Sequence, residues 1–285
     1  MTTAAISPAE IPPRGWWPIA KATWAKATRN NVGLIAAGVA FYGFLALVPL
    51  LASLVLIYGL VVDPAEVVKH MHAVTTMVPA DAAKLIDAQL DDIVKTATSK
   101  KGLGLLLAAG LSLYGAMKGA GAVVIALNVA YEVPEDRGFV KTTLINAAVT
   151  LGAVLVAIGG LVAASVSGFA HDLALRWSSL AASAVTIASW LAAAALASVA
   201  VAALFRYAPN RPDVKWAWLT PGALVATLGW IAMTGLFGYY ASHFGNYNAT
   251  YGALGAVVVL LVWLYLSAYI LLLGAELNAE VEKAV

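Results

Sequence analysis

The sequence contains no cysteine, and only 11% of its 285 residues are charged. A chain without cysteine has no disulfide, no thiolate metal site and no cysteine nucleophile. Hydrophobic residues make up 62% of the chain and its mean hydropathy is +0.85, well outside the usual range of a soluble domain. This composition predicts a membrane protein, and 285 residues leave no room for a soluble catalytic domain beside a helical bundle.

Sequence patterns of metal and nucleotide sites are scarce as well. The chain has four histidines, and none stands in an HExxH or HxHxDH context. His70 and His72 form an isolated HxH pair, which we interpret as part of a solvated loop rather than a metal site. The segment GAMKGAG lacks the spacing of a phosphate-binding loop, and a net charge of +2 is too small to favour nucleic acid. We therefore expect no cofactor, no nucleic-acid partner and no enzymatic activity.

Long uncharged runs dominate the chain. The last of them reads YGALGAVVVLLVWLYLSAYILLLGAE and has no charge between Tyr251 and Glu276. At about 1.5 Å per residue, a helix over this run is long enough to cross a hydrocarbon layer of about 30 Å. Six such spans are predicted, at about 32–62, 103–130, 142–170, 177–205, 217–241 and 252–276.

Two further segments are amphipathic rather than uniformly apolar. Residues 1–29 are expected to form a cytoplasmic tail and an interfacial helix, because tryptophans there alternate with basic residues at helical spacing. Residues 63–101 are expected to form an outer helical loop that rests on the membrane or caps the bundle. The predicted fold is therefore all-α: a polytopic membrane helical bundle of six transmembrane helices within residues 30–285, with an N-terminal interfacial helix and outer amphipathic helices.

Lysine and arginine are unevenly divided between the two sides of this bundle. With the N-terminus in the cytoplasm, ten of them fall on the inner side and six on the outer side. Cytoplasmic segments normally carry the excess, although the rule is weak for the long outer loop that holds five of the six. We therefore expect both termini in the cytoplasm.

Several polar, aromatic or helix-breaking residues inside the spans are candidates for function or packing. Pro49 is expected to kink the first span. Asn128 and Asn278 are expected to make interhelical hydrogen bonds. One face of the last span mixes a glycine, two phenols and a carboxylate, so we expect it to meet other helices. The full set is Tyr42, Pro49, Lys118, Asn128, Tyr251, Gly252, Gly255, Tyr265, Tyr269, Glu276 and Asn278.

Lys118 and Glu276 are the charged members of this set. Lys118 is the one charge in the second span, and it either faces protein or water or snorkels to the headgroups. Glu276 is interpreted as a capped interfacial carboxylate rather than a proton carrier. Both residues fall in the predicted cytoplasmic half, so we hypothesise that they pair, directly or through water.

Several blocks of the sequence resemble the YihY/BrkB family. They are AAGVAFYGFLALVPL in the first span, IALNVAYE after the second, LFRYAPNRP and TPGALVATLGW around the start of the fifth, and the whole sixth span. The resemblance covers most of residues 30–280 and implies a bacterial inner-membrane protein with six spans. This family carries the label ribonuclease BN, and other members are linked to serum resistance or to export of envelope lipids. Where the second span of the family commonly has Trp-Ser before its glycine, this chain has Tyr114 before Gly115.

Two functions are compatible with these observations. Polar residues inside the membrane favour transport or flipping of an envelope lipid or other amphiphile along a groove lined by glycine-rich helices. Their small number favours a non-catalytic structural protein of the envelope that acts through its outer loop. The expected partners are membrane lipids and, at the outer loop, an envelope component, whereas the oligomeric state stays open. The expected location is the bacterial inner (plasma) membrane.

Overall fold

The computed structural model describes residues 8–58, 80–99, 103–211, 220–244 and 254–284. All regular elements within these ranges are helical, which confirms the predicted all-α fold. Two short 3-10 turns, Pro8–Glu10 and Pro13–Gly15, precede the first α-helix. Much of the predicted outer loop lies outside the described residues, and so do Tyr251 and Gly252.

The α-helices are numbered here in chain order. They are α1 (Trp16–Arg29), α2 (Val32–Tyr58), α3 (Ala80–Ser99), α4 (Leu103–Ala130), α5 (Phe139–Leu175), α6 (Ser179–Tyr207), α7 (Thr220–Phe244) and α8 (Leu254–Ala284). Six of them, α2 and α4 to α8, are long and apolar enough to cross a membrane, which confirms the six predicted spans. α8 extends past Glu276 because the residues that follow are mostly good helix formers.

The spanning helices pack in the order α2, α4, α5, α6, α7 and α8, and α8 returns to α2. α2 packs on α4, α5 and α8, so it lies at the centre of the arrangement together with α8. α1 packs on the C-terminal part of α8, and α3 contacts α2 and α8. α1 and α3 therefore mark opposite ends of the bundle. The end at α1 is called the polar end below.

Buried apolar side chains form a large cluster at each end, and a small third cluster of Ile11, Ile19 and Val281 joins α1 to α8 at the polar end. The large cluster at the polar end joins α1, α2, α4, α6, α7 and α8 around side chains such as Phe205. The cluster at the opposite end joins α2, α3, α4 and α5 around side chains such as Leu90. No buried residue occurs at 183–197 of α6 or at 228–240 of α7. The bundle is therefore tightly packed at the polar end and looser where α6 and α7 approach the opposite end.

The amphipathic helix α3 caps the bundle. Its apolar residues Ile86 and Leu90 are buried against the C-terminal part of α2, whereas Asp91 and Asp92 are exposed. The expectation for this segment left open whether it rests on the membrane or caps the bundle. Its contacts with α2 and α8 support the second arrangement.

Glycines allow two helix pairs to approach closely. A Cβ added at Gly119 of α4 would lie 2.8 Å from the Cβ of Ala46 in α2. A Cβ added at Gly274 of α8 would lie 2.6 Å from the main-chain oxygen of Gly222 in α7. Because real Cβ atoms do not approach other atoms this closely, larger residues at these positions would separate the helices.

Candidate functional site

The structure places the predicted candidates in three parts of the bundle. One part is a polar cluster at the polar end, a second is the contact between α2 and α4, and a third is the contact between α2 and α8. Tyr265 and Tyr269 belong to the third part, because a Cβ added at Gly33 of α2 would lie 3.4 Å from the Tyr265 hydroxyl and 3.9 Å from the Tyr269 ring. Gly255 is buried. At Tyr265 and Tyr269 this face of α8 therefore meets α2.

The centre of the polar cluster is an ion pair between Lys26 of α1 and Glu276 of α8. Lys26 Nζ lies 3.1 Å from Glu276 Oε2, and the two side chains are 1% and 0% exposed. The same ammonium donates to the main-chain oxygen of Ala130 at 2.7 Å, while Asn30 Nδ2 donates to Glu276 Oε1 at 2.8 Å. Buried charges persist in proteins when they are paired and hydrogen-bonded. The pair therefore fixes α1 against α4 and α8.

The hypothesis that Glu276 pairs with Lys118 is wrong. The ionic partner of Glu276 is Lys26, and the Lys118 ammonium lies over the ring of Tyr114 instead. Lys26 was not among the predicted site residues, because the alternation of tryptophans and basic residues in α1 is typical of a helix at the membrane interface. The available signal was the helical spacing, since Lys26 shares a face with the buried Ile19 seven residues earlier.

Two asparagines beside the ion pair accept hydrogen bonds from main-chain N–H groups of other segments. Asn278 Oδ1 accepts a hydrogen bond at 2.7 Å from the main-chain N–H of Gly222, in the first turn of α7. Asn128 Oδ1 accepts one at 2.8 Å from the main-chain N–H of Asn210, after α6, and Asn128 Nδ2 donates to Glu135 at 2.8 Å. A main-chain N–H in the first turn of a helix has no partner within that helix. Asn278 thus joins α8 to α7, and Asn128 joins the end of α4 to the loops that follow α4 and α6.

Two arginines complete the cluster from the loops that follow α4 and α6. Arg137 donates to Glu135 through Nε at 2.7 Å and through Nη2 at 2.5 Å. Arg211 Nη1 lies 2.7 Å and 3.0 Å from the two carboxylate oxygens of Glu282, and its guanidinium lies 3.7 Å from the centre of the Tyr131 ring. These contacts bind the two loops to each other and to the C-terminal part of α8.

The arginine contacts also set the charge state of the loop. Hydrogen bonds from Arg137 stabilise the carboxylate and lower the pKa of Glu135 to about 2. Burial raises the pKa of Tyr131 well above its ordinary value, so its hydroxyl stays protonated.

In the described part of the chain, no three His, Asp or Glu side chains come together as a metal site would need. The geometry of this cluster is that of an anchor that holds the polar end together.

A second feature lies on the outside of the bundle, between α2 and α4. These antiparallel helices touch through small residues, because Gly119 faces Ala46 and Gly115 faces Pro49. On each helix, exposed residues lie next to this contact. Because each residue of an α-helix is rotated by about 100° from the one before it, the exposed residues of the two antiparallel helices lie on the same side of the helix pair. We call this surface the α2–α4 furrow. Its exposed side chains are Phe41, Tyr42 and Leu45 of α2 and Leu111, Tyr114 and Lys118 of α4.

Lys118 stands in the middle of the α4 span. The span runs from Leu106 to Ala130, so Lys118 lies 12 residues from each end, or about 18 Å along the helix axis. The side chain is exposed, and its Nζ lies 5.9 Å from the centre of the Tyr114 ring, one turn earlier. The ammonium therefore points away from the polar end and does not snorkel toward it. No carboxylate among the described residues lies within 4.0 Å of it.

Proteins similar to this chain include membrane proteins and a protein with an enzyme-like name. The putative ribonuclease-like protein YfkH of Bacillus subtilis is 33% identical over 213 residues, which are 72% of this chain and 74% of that protein. UPF0761 membrane proteins of Nitrosospira multiformis and Laribacter hongkongensis are 29% and 30% identical, each over 90% of this chain. The chain spans 58% and 59% of the length of these two relatives. No solved structure matches the chain significantly.

A family model described as virulence factor BrkB matches residues 23–285. The match includes the second half of α1 and all of the spanning helices, and therefore both the ion pair and the furrow. It also agrees with the resemblance noted in the sequence. The chain therefore belongs to the family described as virulence factor BrkB.

Proposed function

We propose that this protein moves an amphiphile, which we take to be an envelope lipid, across a bacterial inner membrane. The observation that carries the proposal is Lys118, an exposed charge at half depth of a spanning helix, with exposed tyrosines beside it. A lysine that faces hydrocarbon costs about 3 kcal/mol on insertion scales, and such residues usually mark a path for a substrate or an ion. A headgroup that crosses the bilayer while its acyl chains remain in lipid needs a polar path of this kind.

The exposed groups of the α2–α4 furrow support this path. Gly38 of α2 lies on this surface, and a Cβ added there would meet no atom within 4 Å, so no neighbouring side chain covers the surface at this point. The hydroxyls of Tyr42 and Tyr114 can each donate and accept a hydrogen bond. The furrow thus offers an ammonium and two phenols to a headgroup on a surface that is otherwise apolar.

The polar cluster has a supporting role in this proposal. It ties α1, α7 and the loops after α4 and α6 to α8, so the polar end of the bundle moves as one unit. The two helices that border the furrow, α2 and α4, are then held in place at the polar end of the bundle. Variants of the cluster should therefore lower stability first and transport only as a consequence.

We further propose that the polar end faces the cytoplasm. Cytoplasmic segments normally carry the excess of lysine and arginine. At the opposite end the described basic residues include Lys84 and Arg176. Those at the polar end include Arg14, Lys21, Lys26, Arg29, Arg137, Lys141, Arg206, Arg211 and Lys283.

A structural role in the envelope is the second candidate function, and one observation favours it. α3 covers the end of the bundle and exposes Asp91 and Asp92, so an acidic surface is available to an envelope partner. The relative YfkH carries a ribonuclease-like label. We propose no nuclease activity for this chain, because its sequence lacks the clustered histidines and carboxylates that such chemistry usually requires.

A lipid-flipping assay tests the proposed transport. Purified protein is reconstituted into vesicles that contain a fluorescent lipid, and dithionite then bleaches the probe in the outer leaflet. The wild type is expected to expose probe from the inner leaflet, so the bleached fraction exceeds that of protein-free vesicles.

Two matched variants locate the path. Gly38→Phe fills the furrow at a position with open space and should slow flipping. Gly235→Phe on α7 has the same open space outside the furrow and should flip at the wild-type rate. Equal rates for both variants would contradict a path along the furrow. A wild type that flips no lipid would contradict transport and leave the structural role.

A further inference from the structure

We propose that the α2–α4 furrow is a binding site for an anionic phosphodiester headgroup and that Lys118 is its charge contact. This inference rests on the proposed function and narrows it to one class of amphiphile. The site lies at half depth of the α4 span, where a headgroup stands only while it crosses.

The polar groups of the furrow suit the oxygens of a phosphodiester. Lys118 is exposed next to Gly119, and a Cβ added at Gly119 would lie 3.5 Å from the main-chain oxygen of Tyr42. Tyr42 and the Lys118–Tyr114 pair therefore lie within about one helical turn of each other. An ammonium offers three donors and each phenol one, while phosphodiester oxygens only accept, so the groups match.

The charge of the furrow also favours an anion over a zwitterion. The segments 32–58 of α2 and 103–130 of α4 contain no aspartate or glutamate. A quaternary ammonium headgroup would therefore find no carboxylate there. It would also find the face of the Tyr114 ring covered by the Lys118 ammonium, at 5.9 Å from the ring centre. The furrow thus complements a negative charge and provides nothing to balance a positive one.

The single ammonium of the furrow indicates how many phosphates the lipid headgroup carries. A lysine and a phosphodiester are each unfavourable in hydrocarbon, and a close pair cancels their net charge. Since Lys118 is the one basic residue of the α4 segment 103–130, and α2 has none, one ammonium faces the headgroup. A lipid with a single phosphodiester and an uncharged head is therefore matched, whereas a lipid with several phosphates is not.

The test compares two lipids with the same labelled acyl chain, phosphatidylglycerol and phosphatidylcholine, in the reconstituted flipping assay. Wild type should flip phosphatidylglycerol about tenfold faster, as expected for one charge-assisted contact present with one lipid only. Lys118→Gln should remove this preference by slowing phosphatidylglycerol, and Lys118→Arg should retain it. Lys21→Gln is the matched control, because Lys21 Nζ also lies over an aromatic ring, 5.2 Å from the centre of Trp17, but outside the furrow.

The outcomes separate this inference from the proposed function. If wild type flips both lipids at one rate, or if Lys118→Gln keeps the preference, the headgroup site is refuted while transport stands. If wild type flips neither lipid, the proposed function fails and this inference with it. Thermal melts of every variant check the fold. If Lys118→Gln does not fold, Lys118→Met supplies a neutral side chain instead. The ratio of phosphatidylglycerol to phosphatidylcholine flipping rates in the wild type tests the headgroup preference without any variant.

Discussion

Breaking the ion pair between Lys26 and Glu276 should destabilise the protein strongly, and restoring neutrality should recover much of the loss. At the observed separation of 3.1 Å, Coulomb attraction is about 5 kcal/mol for an effective dielectric constant of about 20. Desolvation of both groups offsets much of that value. Since both side chains are almost fully buried, removal of Lys26 leaves Glu276 as an uncompensated charge, which costs about 3–5 kcal/mol. Removal of Glu276 leaves Lys26 with the Glu280 carboxylate, 3.8 Å from its ammonium.

A double-mutant cycle measures this coupling. Lys26→Met should lower the melting temperature in detergent by roughly 10 °C, on the scale of about 2–4 °C per kcal/mol for chains of this size, and Glu276→Gln should lower it by less, because Glu280 remains 3.8 Å from the Lys26 ammonium. The double variant should be destabilised by no more than Lys26→Met alone, so the coupling is at least as large as the loss caused by Glu276→Gln. The nine tryptophans provide the fluorescence signal. Lys21→Met, an exposed lysine on the same helix, should change stability by less than about 0.5 kcal/mol. Additive losses in the double variant would refute the pair.

Three further predictions concern packing, pH and topology. Gly222→Ala should destabilise the protein more than any surface substitution, because the new Cβ would lie 2.5 Å from Asn278 Oδ1; a melting temperature equal to that of the wild type would contradict the close contact of α7 and α8. Glu135 has its pKa lowered from 4.5 to about 2, so its hydrogen bonds stabilise the fold above pH 4.5, and this stability is lost as the pH falls toward 2. Glu135→Gln should therefore weaken the acid dependence of the melting temperature between these values, and an unchanged dependence would count against the loop anchor. In intact cells, an impermeant thiol reagent should label Ser179→Cys but not Gly138→Cys, and the reverse pattern would overturn the proposed orientation.

The spanning helices could be predicted because membrane insertion depends on local composition. Each span is an apolar run with almost no charge, and the length needed to cross the bilayer is fixed by the helix rise. The ends were harder to predict. α5 continues to Leu175, past the expected end at residue 170, because a helix does not stop where hydrophobicity stops.

The partners within the polar cluster could not be read from the sequence. Asn30 and Glu276 are separated by 246 residues, and Arg211 and Glu282 by 71. Hydropathy identifies the helix that carries such a residue but not the helix it faces. Lys118 is an example: it is recognisable in the sequence as a charge within an apolar span, but its predicted partner was Glu276. In the structure Glu276 pairs with Lys26, and Lys118 lies over the ring of Tyr114.

The polar path along the furrow is tested most directly by the reactivity of one cysteine at membrane depth. The chain has no native cysteine, so Tyr114→Cys in the furrow can be compared with Trp190→Cys on α6. The two native side chains are similarly exposed, at 62% and 56%. Thiols react as thiolates, which need water. A furrow that admits headgroups predicts rapid reaction of Tyr114→Cys with a small anionic thiol reagent in reconstituted vesicles, while Trp190→Cys stays inert. If both cysteines are equally inert, the furrow is a lipid-filled surface and the polar path does not exist.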